Sequence, residues 1–260
     1  MRSPKALVRR PSPRLAEGIV THIERSPVDV DLAMHQWTAY VGALVANGWE
    51  TVEVPAAHDC PDSAFIEDTM VVFRNVAVIA SPGAAQRRAE VIAAEPAIEA
   101  LGYSINRNRL PGTLDGGDVL KIGDTVYVGR GGRTNGEGIR QLRAILAPIG
   151  AHVVAVPLTR ALHLKTAVTA LPDGTIIGWE PVVDQASLFP RFLPAPEETG
   201  AHVVLLGGNR LLMSASCPAS AALYRELGYE PVIVDISEYE KLEGCVTCLS
   251  VRLRDAPDLG

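Results

Sequence analysis

Residue types that could carry out covalent catalysis are concentrated in four short segments of the chain. The segments are DSAFIED (62–68), LDGGD (114–118), LHLKT (162–166) and GCVTC (244–248). A cysteine thiolate is a nucleophile, a histidine can donate or accept a proton, and a carboxylate can orient the histidine or bind a cation. If the fold brings the segments together, they supply a thiol nucleophile, its acid/base partner and an orienting or cation-binding acid.

Taken singly, each of these residues also has an ordinary structural interpretation. Cys248 could be a small buried apolar residue, and His163 a core or turn histidine. Asp115 precedes two glycines and could form a turn, and the acidic side chains of DSAFIED could belong to a solvated patch. The functional interpretation therefore depends on whether the segments occupy equivalent places in the fold.

The C-x-x-C segment from Cys245 to Cys248 has the spacing of a metal or redox site. The LSVRL run that follows it alternates like a strand, and residues three apart on a strand face opposite sides. The sequence therefore predicts that Cys245 points away from Cys248, so that the two thiols form neither a metal site nor a disulfide. Replacement of Cys245 is expected to leave most activity.

The glycine-rich segment GRGGRTNGEG (129–138) resembles a phosphate-binding loop in composition only. It has no lysine for a P-loop and no G-x-G-x-x-G register. We expect a loop that leads into a helix at Glu137, with Arg133 available to bind an anion.

The elements that must position these segments form a repeat. A glycine followed by a short β-prone run occurs five times, at Gly48, Gly102, Gly150, Gly200 and Gly228. Spacings of this size are typical of repeat or propeller architectures. A left-handed glycine at the end of a helix would explain the position of most of them.

Apolar residues at helical spacing precede three of the glycines. Before Gly48 the stripe is Leu32, Trp37, Val41 and Leu44, and before Gly150 it is Ile139, Leu142, Ile145 or Leu146, and Ile149. Leu223 and Leu227 precede Gly228 in the same way. Pro96 is expected to mark a kink or the start of the helix before Gly102. The proline-rich approach to Gly200 predicts no helix.

Pairs of apolar strands split by turn residues follow three of these units and are typical of hairpins. They are TMVVF–RN–VAVIA, DVLKI–GD–TVYVG and AVTAL–PDG–TIIGW, while NRLLMSAS and CVTCLSVRL are predicted as single strands. The polar junction of the fourth unit is placed at GGN, with Asn209. The N-terminal strand KALVR could complete the fifth unit and close a ring, whereas the alternative is an ordinary α/β sheet with chance glycine placement.

Composition limits the class of protein. The chain has 260 residues, 47% of them hydrophobic and 21% charged, which indicates a globular protein with a large core. The longest apolar run, 76–80, is too short for a membrane span, and the basic start has no apolar segment of a secretory signal. Four cysteines without such a signal predict free thiols in the cytoplasm. A net charge of −6 argues against nucleic-acid or membrane partners and weakly favours a cationic ligand.

The blocks DSAFIED, SPGAAQRR, TLDGGDVLKIGDTVYVGRGGRTN, HLKTAV and GCVTCLSV, in this order, resemble the bacterial dimethylarginine dimethylaminohydrolases. The resemblance extends from Val8 to Leu253. It implies the five-bladed α/β propeller called the pentein fold, with one catalytic domain over residues 1–260 and a central active-site cavity. Arginine deiminases and amidinotransferases share this fold.

The resemblance also implies roles for particular residues. Cys248 matches the nucleophile, His163 the acid/base, and Asp115 the acid that orients this histidine. The positions that match substrate-binding residues are Glu67 and Asp68 for the guanidinium, Asp62 for the α-amino group, Phe65 for an aromatic wall, Arg87 and Arg133 for the α-carboxylate, and Val20, with Ile19, for a flap.

The implied reaction converts Nω-methylated arginines to citrulline and a methylamine through a covalent thiouronium on Cys248. The ligand is a small cationic amino acid, no metal or organic cofactor is implied, and a homodimer is left open. An arginine deiminase or a non-catalytic binding protein of the same fold are the alternatives. The deiminases have an acid two residues after the histidine, where this chain has Lys165, so methylated substrates are favoured unless Lys165 points away and has no bearing on selectivity.

Overall fold

The computed structural model describes residues 3–254, and within this range the chain forms five three-stranded sheets. The strands in chain order are β1 Lys5–Val8, β2 Glu50–Glu53, β3 Met70–Phe73, β4 Val76–Ile79, β5 Ser104–Arg107, β6 Val119–Ile122, β7 Thr125–Arg130, β8 His152–Pro157, β9 Val168–Ala170, β10 Ile176–Gly178, β11 Phe192–Pro194, β12 Val204–Gly207, β13 Arg210–Ser214, β14 Glu230–Val234 and β15 Val251–Leu253. The helices are α1 Val30–Ala46, α2 Val91–Glu99, α3 Gly136–Leu146, α4 Leu164–Ala167, α5 Pro218–Glu226 and α6 Ser237–Glu240.

Every sheet has the same internal order. Its first strand pairs antiparallel with the middle strand, and its third strand pairs parallel with the middle strand, as in β3–β4–β5 and β6–β7–β8. A parallel third strand requires a crossover, which α1, α2, α3 and α5 provide in four of the sheets. In the β9–β10–β11 sheet the crossover consists of short 3₁₀ turns, Glu180–Val182 and Ala186–Leu188.

The N-terminal strand closes the ring. Strand β1 is the middle strand of the fifth sheet, antiparallel to β15 and parallel to β2. Lys5 is opposite Leu253 on one side and Glu50 on the other. The predicted five-unit ring, in which the N-terminal strand supplies what the fifth unit lacks, is therefore confirmed.

Four of the five repeat glycines end their helices as predicted. Gly48, Gly102, Gly150 and Gly228 have φ between +85° and +91°, the left-handed conformation that lets the chain turn into the next strand. Gly200 does not share it. It is buried, and a Cβ at this position would lie 1.9 Å from Ser220 Oγ, so close packing is the reason for its small size.

The helical stripes are confirmed with three differences. Trp37 and Leu44 of α1 are buried, but Leu32, in the first turn, is 40% exposed and does not belong to the buried face. Leu227 is 49% exposed because it lies just beyond the end of α5 at Glu226. Pro96 lies within α2, which starts at Val91, so it does not mark the start of that helix.

The fourth unit is offset from its prediction. The run after Gly200 becomes β12, which pairs antiparallel with β13 as the first strand of a hairpin. After the other repeat glycines the chain forms the parallel third strand of a sheet, but in the β9–β10–β11 sheet that strand is β11, which precedes Gly200. NRLLMSAS is therefore the second strand of a hairpin, and Asn209 lies in its turn. The true junction is the 3₁₀ turn Thr199–Ala201, followed by the buried His202.

The junctions before the five first strands are joined by hydrogen bonds around the centre of the ring. The Glu67 N–H donates to Cys248 O at 3.1 Å, and the Gly117 N–H to Asp68 Oδ1 at 2.8 Å. The Leu164 N–H donates to Asp118 Oδ1 at 3.0 Å, and His202 Nε2 to Thr166 O at 2.6 Å. Residues far apart in the sequence are thereby held in one central cluster.

Across residues 3–254, none of the helices combines the length and the apolar character that crossing a bilayer requires.

Candidate active site

A small cavity opens between the junctions at one end of the ring. Its wall includes the predicted residues Cys248, His163, Asp62, Phe65, Asp68, Arg87 and Arg133, together with Ile19, Leu162, Leu242, Glu243 and Gly244. Cys248 is 6% exposed and His163 2% exposed, so a bound molecule would react in a largely dry environment. Three of the four segments singled out for chemistry thus line one cavity, and the fourth, LDGGD, contacts it from behind through the hydrogen bond between Asp115 and His163.

His163 is surrounded by carboxylates. Its Nε2 lies 3.0 Å from Asp115 Oδ2, and its Nδ1 lies 3.8 Å from Asp68 Oδ1. Burial disfavours the imidazolium, but the charges of Asp68, Asp115 and Asp118 outweigh it and raise the pKa of His163 to about 9. The histidine is therefore protonated at neutral pH and can act as an acid.

Asp68 is held as an anion at the cavity wall. Its Oδ2 accepts from Arg87 at 2.6 Å, and its Oδ1 accepts from the Gly117 N–H at 2.8 Å. Burial alone would raise its pKa, yet the charges of His163 and Arg87 and these hydrogen bonds lower the pKa to about 2. A permanent negative charge suits recognition of a cation.

The glycines of LDGGD allow the junctions to approach each other. A Cβ on Gly117 would lie 2.6 Å from His163 Nδ1 and 2.7 Å from Asp68 Oδ1. A Cβ on Gly116 would lie 2.0 Å from Glu67 O. Any larger residue at either position would push the histidine and the carboxylates apart.

The prediction that Cys245 points away from Cys248 is wrong. The segment from 245 to 249 is a turn, and the strand begins only at Val251. The Cys248 N–H donates to Cys245 O at 3.0 Å, and the two Sγ atoms lie 3.3 Å apart. A turn brings its first and fourth residues together, whereas a strand would have separated them.

The two thiols titrate as a pair. The hydrogen bond with Cys248 lowers the pKa of Cys245 to about 5, although burial opposes this. The same contact raises the pKa of Cys248, together with burial and the negative charge of Cys245. Because the two sites are coupled, the first ionisation produces one thiolate that the second S–H stabilises, and the second proton is retained.

Glu67, expected to bind the guanidinium, does not line the cavity. Its Oε1 pairs with Lys165 Nζ at 2.5 Å and with Arg252, and all three residues line a different pocket. Glu67 and Asp68 lie in the 3₁₀ turn Ile66–Thr69, where consecutive side chains point about 120° apart. Neighbours in sequence therefore face two different compartments. Lys165 likewise turns toward Glu67 and away from the cavity.

The two arginines expected to bind a carboxylate differ in environment. Arg87 is buried and donates to Asp68, to both oxygens of Glu90, and to the carbonyls of Asp62 and Phe65. Arg133 makes weaker contacts, with Thr21 Oγ1 at 3.4 Å and Asp115 Oδ2 at 3.9 Å. Arg133 is therefore the better donor for a new anion, while Arg87 mainly organises the wall.

The flap segment is held by two carboxylates. Asp62 Oδ1 accepts from the Ile19 N–H at 3.0 Å, and Glu243 accepts from the amides of Thr21 and His22 at 2.5 and 2.8 Å. Ile19 lines the cavity, whereas Val20, which was expected to bind substrate, packs against the neighbouring hydrophobic core. Of the two residues predicted for the flap, Ile19 therefore forms the wall and Val20 does not.

Four wall residues were not predicted from the sequence: Leu162, Leu242, Glu243 and Gly244. All four directly flank His163 or the C-x-x-C turn, and this proximity is the only signal that could have indicated them. Gly244 has a steric role, because a Cβ there would lie 2.3 Å from Cε1 of the Phe65 ring. Cys245 was also missed as a site residue.

A divalent cation would find ligands among the same groups. Asp68, Asp115 and His163 each offer one ligand atom within 4.8 Å of the others. Arg87 already occupies Asp68, however, and its fixed positive charge disfavours a second point charge at this position. A flat, delocalised cation with several N–H donors fits the carboxylates better than a metal ion does.

Comparison with known proteins places the chain among enzymes that act on guanidino groups. Residues 43–251 match the arginine deiminase family. The dimethylarginine dimethylaminohydrolase of Streptomyces coelicolor is 69% identical over 99% of this chain and 100% of its own length. The structure of a Pseudomonas aeruginosa dimethylarginine dimethylaminohydrolase mutant complexed with citrulline has a TM-score of 0.91, with 31% identity over 97% of this chain and 100% of that one. A dimethylarginine dimethylaminohydrolase adduct with S-methyl-L-thiocitrulline gives the same values.

Proposed function

Since the chain belongs to the dimethylarginine dimethylaminohydrolase family, within the pentein fold, we propose that it hydrolyses Nω-methylated arginines to citrulline and dimethylamine or methylamine. The observation that carries the proposal is the placement of Cys248, His163 and the ionised Asp68 on the wall of one cavity. The five sheets form one closed ring, and we infer that the chain acts as a single catalytic domain.

Recognition of the substrate follows from the charges on the wall. The guanidinium lies against Asp68, whose negative charge is fixed by the Gly117 N–H and by Arg87. Phe65 covers the planar cation, since its ring is part of the same cavity wall as Asp68. At the other end of the substrate, Arg133 binds the α-carboxylate, and Asp62 and Glu243 attract the α-amino group.

The first chemical step is an attack by the Cys248 thiolate on the central guanidinium carbon. Resonance makes this carbon a poor electrophile, so positioning in a dry cavity supplies much of the rate. Protonated His163, oriented by Asp115, donates its proton to the departing methylamine. The C–N bond breaks, and a thiouronium remains attached to Cys248.

The second step regenerates the enzyme. His163, now neutral, accepts a proton from a water molecule that attacks the same carbon. The C–S bond breaks, citrulline leaves, and the Cys248 sulfur again shares one proton with Cys245, whose Sγ lies 3.3 Å away. One histidine thus serves as acid and then as base.

Lys165 gives no ground for selectivity, because it pairs with Glu67 outside the cavity and does not line the wall. This geometry supports the alternative drawn from the sequence, in which position 165 has no bearing on selectivity. The preference for methylated arginines is proposed instead from the family to which the chain belongs.

The test is a citrulline assay with asymmetric dimethylarginine, monomethylarginine and arginine at matched concentrations. We expect a higher kcat/KM for the methylated substrates and release of methylamines in amounts equal to citrulline. Cys248→Ser should abolish turnover because a serine hydroxyl is far less ionised than a thiol, while Cys217→Ser, which changes a cysteine outside the cavity, should retain it. A preference for arginine with release of ammonia would replace the proposal with a deiminase.

A further inference from the structure

The turn that contains Cys248 places two thiols in a geometry from which a disulfide bond can form. The Cys248 N–H donates to Cys245 O at 3.0 Å, and a β-turn of this kind keeps its first and fourth Cα atoms within about 7 Å. Disulfides span Cα separations up to about 6.8 Å. The sulfurs, at 3.3 Å, need to approach by only about 1.2 Å to reach bonding distance.

The two thiols are not equivalent in their access to solvent. Cys248 lines the cavity, whereas Cys245 does not, and Cys245 is only 2% exposed. Cys245 lies 3.2 Å from Thr247 Oγ1, and the nearby His202 favours its thiolate. A small oxidant that enters the cavity therefore meets Cys248 first and finds Cys245 directly behind it.

We propose that Cys245 and Cys248 form a reversible oxidation site, in which Cys245 acts as a resolving thiol for hydroperoxides that react with Cys248. The oxidation is a reaction separate from hydrolysis. The proposal rests on the proposed function only in taking Cys248 as the reactive thiol. Its consequence is an enzyme that becomes inactive under oxidising conditions and recovers on reduction.

The chemistry balances with a hydroperoxide as oxidant. The Cys248 thiolate attacks the terminal peroxide oxygen, the O–O bond breaks, and the leaving oxygen takes a proton to form water or an alcohol. The resulting sulfenic acid on Cys248 is then attacked by the Cys245 sulfur, which loses its proton. The S–O bond breaks and releases water, so that two thiols lose two electrons and the peroxide gains them.

Without Cys245, the sulfenic acid has no thiol partner at contact distance among the described residues. The other cysteines, Cys60 and Cys217, do not line the cavity, and each is buried as a free thiol elsewhere. Further peroxide would convert the sulfenic acid into sulfinic and sulfonic acids, which ordinary thiols do not reduce.

The experiment compares the wild-type chain, Cys245→Ser and Cys217→Ser after treatment with hydrogen peroxide. Free thiols are then blocked, and the peptide that carries residues 245 and 248 is examined by mass spectrometry. We expect this peptide to lose two hydrogen atoms in the wild type and in Cys217→Ser, and to gain two or three oxygen atoms on Cys248 in Cys245→Ser. Cys217→Ser is the matched control because Cys217 is also buried and donates to Ser214 O.

Activity on methylated arginine, normalised to each untreated variant, provides the second readout. Dithiothreitol should restore the wild type and Cys217→Ser almost completely and should restore little in Cys245→Ser. The proposal is overturned if the wild type forms no Cys245–Cys248 disulfide, or if its Cys248 reaches the sulfinic acid as fast as in Cys245→Ser. The mass of the wild-type peptide tests for the disulfide even if Cys245→Ser does not fold. The mass measurement requires no turnover, so a failure of the proposed hydrolysis would be seen separately in the citrulline assay.

Discussion

At the scale of single residues, the site is governed by where its negative charges are placed. Asp68, Asp115 and Asp118 surround one histidine, and the balance of burial and attraction keeps that histidine protonated. Asp68 and Asp115 have cationic partners, whereas within residues 3–254 the hydrogen bonds of Asp118 come from Thr134 Oγ1 and the Leu164 N–H. Each carboxylate can therefore be tested for a different contribution.

The pH dependence of turnover should follow His163. Because His163 must be protonated to release the amine, kcat/KM should fall as the pH rises through about 9. In Asp118→Asn the loss of one negative charge should move this fall to lower pH by about one unit. Burial raises the pKa of Asp118 to about 7, so this group is ionised where the fall occurs. The measurement is kcat/KM against pH for both proteins.

Stability provides an independent check on the same group. The pKa of His163 is raised on folding, so its contribution should be complete below about pH 6.5 and should be lost as the pH rises through about 9. Urea unfolding across this range should show a smaller loss in Asp118→Asn. Asp124→Asn, at an exposed position paired with Arg74, is the control. Identical pH profiles for all three proteins would show that Asp118 does not act on His163.

The two cavity arginines should give opposite results on truncation. Arg87→Ala leaves the buried Glu90 and Asp68 without their cation, which should cost about 3–5 kcal/mol of unfolding free energy. Arg133→Ala should change stability little and should raise KM for amino-acid substrates more than for methylated agmatine, which lacks the carboxylate. Chemical unfolding and steady-state kinetics separate the two effects. Equal KM changes with both substrates would mean that Arg133 does not bind the carboxylate.

At the scale of elements, the side chains of the site lie on short turns, and the sheets hold these turns in position. The junction residues lie in or beside 3₁₀ turns of three or four residues, in the bend before α4, which holds His163, or in the turn before β15. In such turns a change of one position alters the direction of a side chain completely. This sensitivity is seen in the different directions of Glu67 and Asp68. The side chains of Ile19 and Val20 differ in direction in the same way, although they lie outside a 3₁₀ turn.

Gly244→Ala tests how closely the turn of Cys248 is packed. The added methyl would lie 2.3 Å from the Phe65 ring, so the ring or the turn must move, and we expect a loss of activity of at least tenfold with reduced stability. Gly42→Ala, in helix α1 where nothing lies within 4 Å of the new Cβ, should instead stabilise the protein by about 0.5–1 kcal/mol. Thermal unfolding and kcat/KM are the measurements, and full activity in Gly244→Ala would contradict the packing argument.

The sequence predicted the elements better than the turns. The repeat glycines indicated the helix ends and the hairpins, and the place of Cys248, His163 and Asp115 in that repeat indicated a shared site. The fourth unit was offset because a β-prone run after a glycine looks the same whether it pairs parallel or antiparallel. Cys245 was misplaced because β15 has three residues and its alternating pattern extends, by chance, back into the turn.

At the scale of the whole molecule, the ring places the two ends of the described chain side by side. Lys5 of β1 is directly opposite Leu253 of β15 in an antiparallel pair. The site therefore depends on a contact between the first and last strands, because β15 follows the turn that carries Cys248. The order in which the strands occur along the chain matters less than the closed arrangement they reach.

A circular permutant should therefore be active. Residues 3 and 254 can be joined by a short glycine linker, and new ends can be opened at Gly208 in the β12–β13 turn, where nothing lies within 4 Å of a Cβ. We expect a cooperative unfolding transition and citrulline formation within about threefold of the wild type. A permutant opened inside β4, which is buried along its length, is the control and should not fold. Failure of the first permutant would show that the natural order is required.

Hydrogen bonds to backbone amides hold the flap, and amides do not depend on side-chain type. Asp62 and Glu243 accept from the amides of Ile19, Thr21 and His22, and an amide is the same in every residue except proline. The position of this backbone is therefore set by two carboxylates more than 40 and 200 positions away in the sequence. These amide contacts place no demand on side-chain type, whereas the cavity wall at Ile19 and the core at Val20 constrain the side chains there. The two distant carboxylates explain why the segment itself has no distinctive motif.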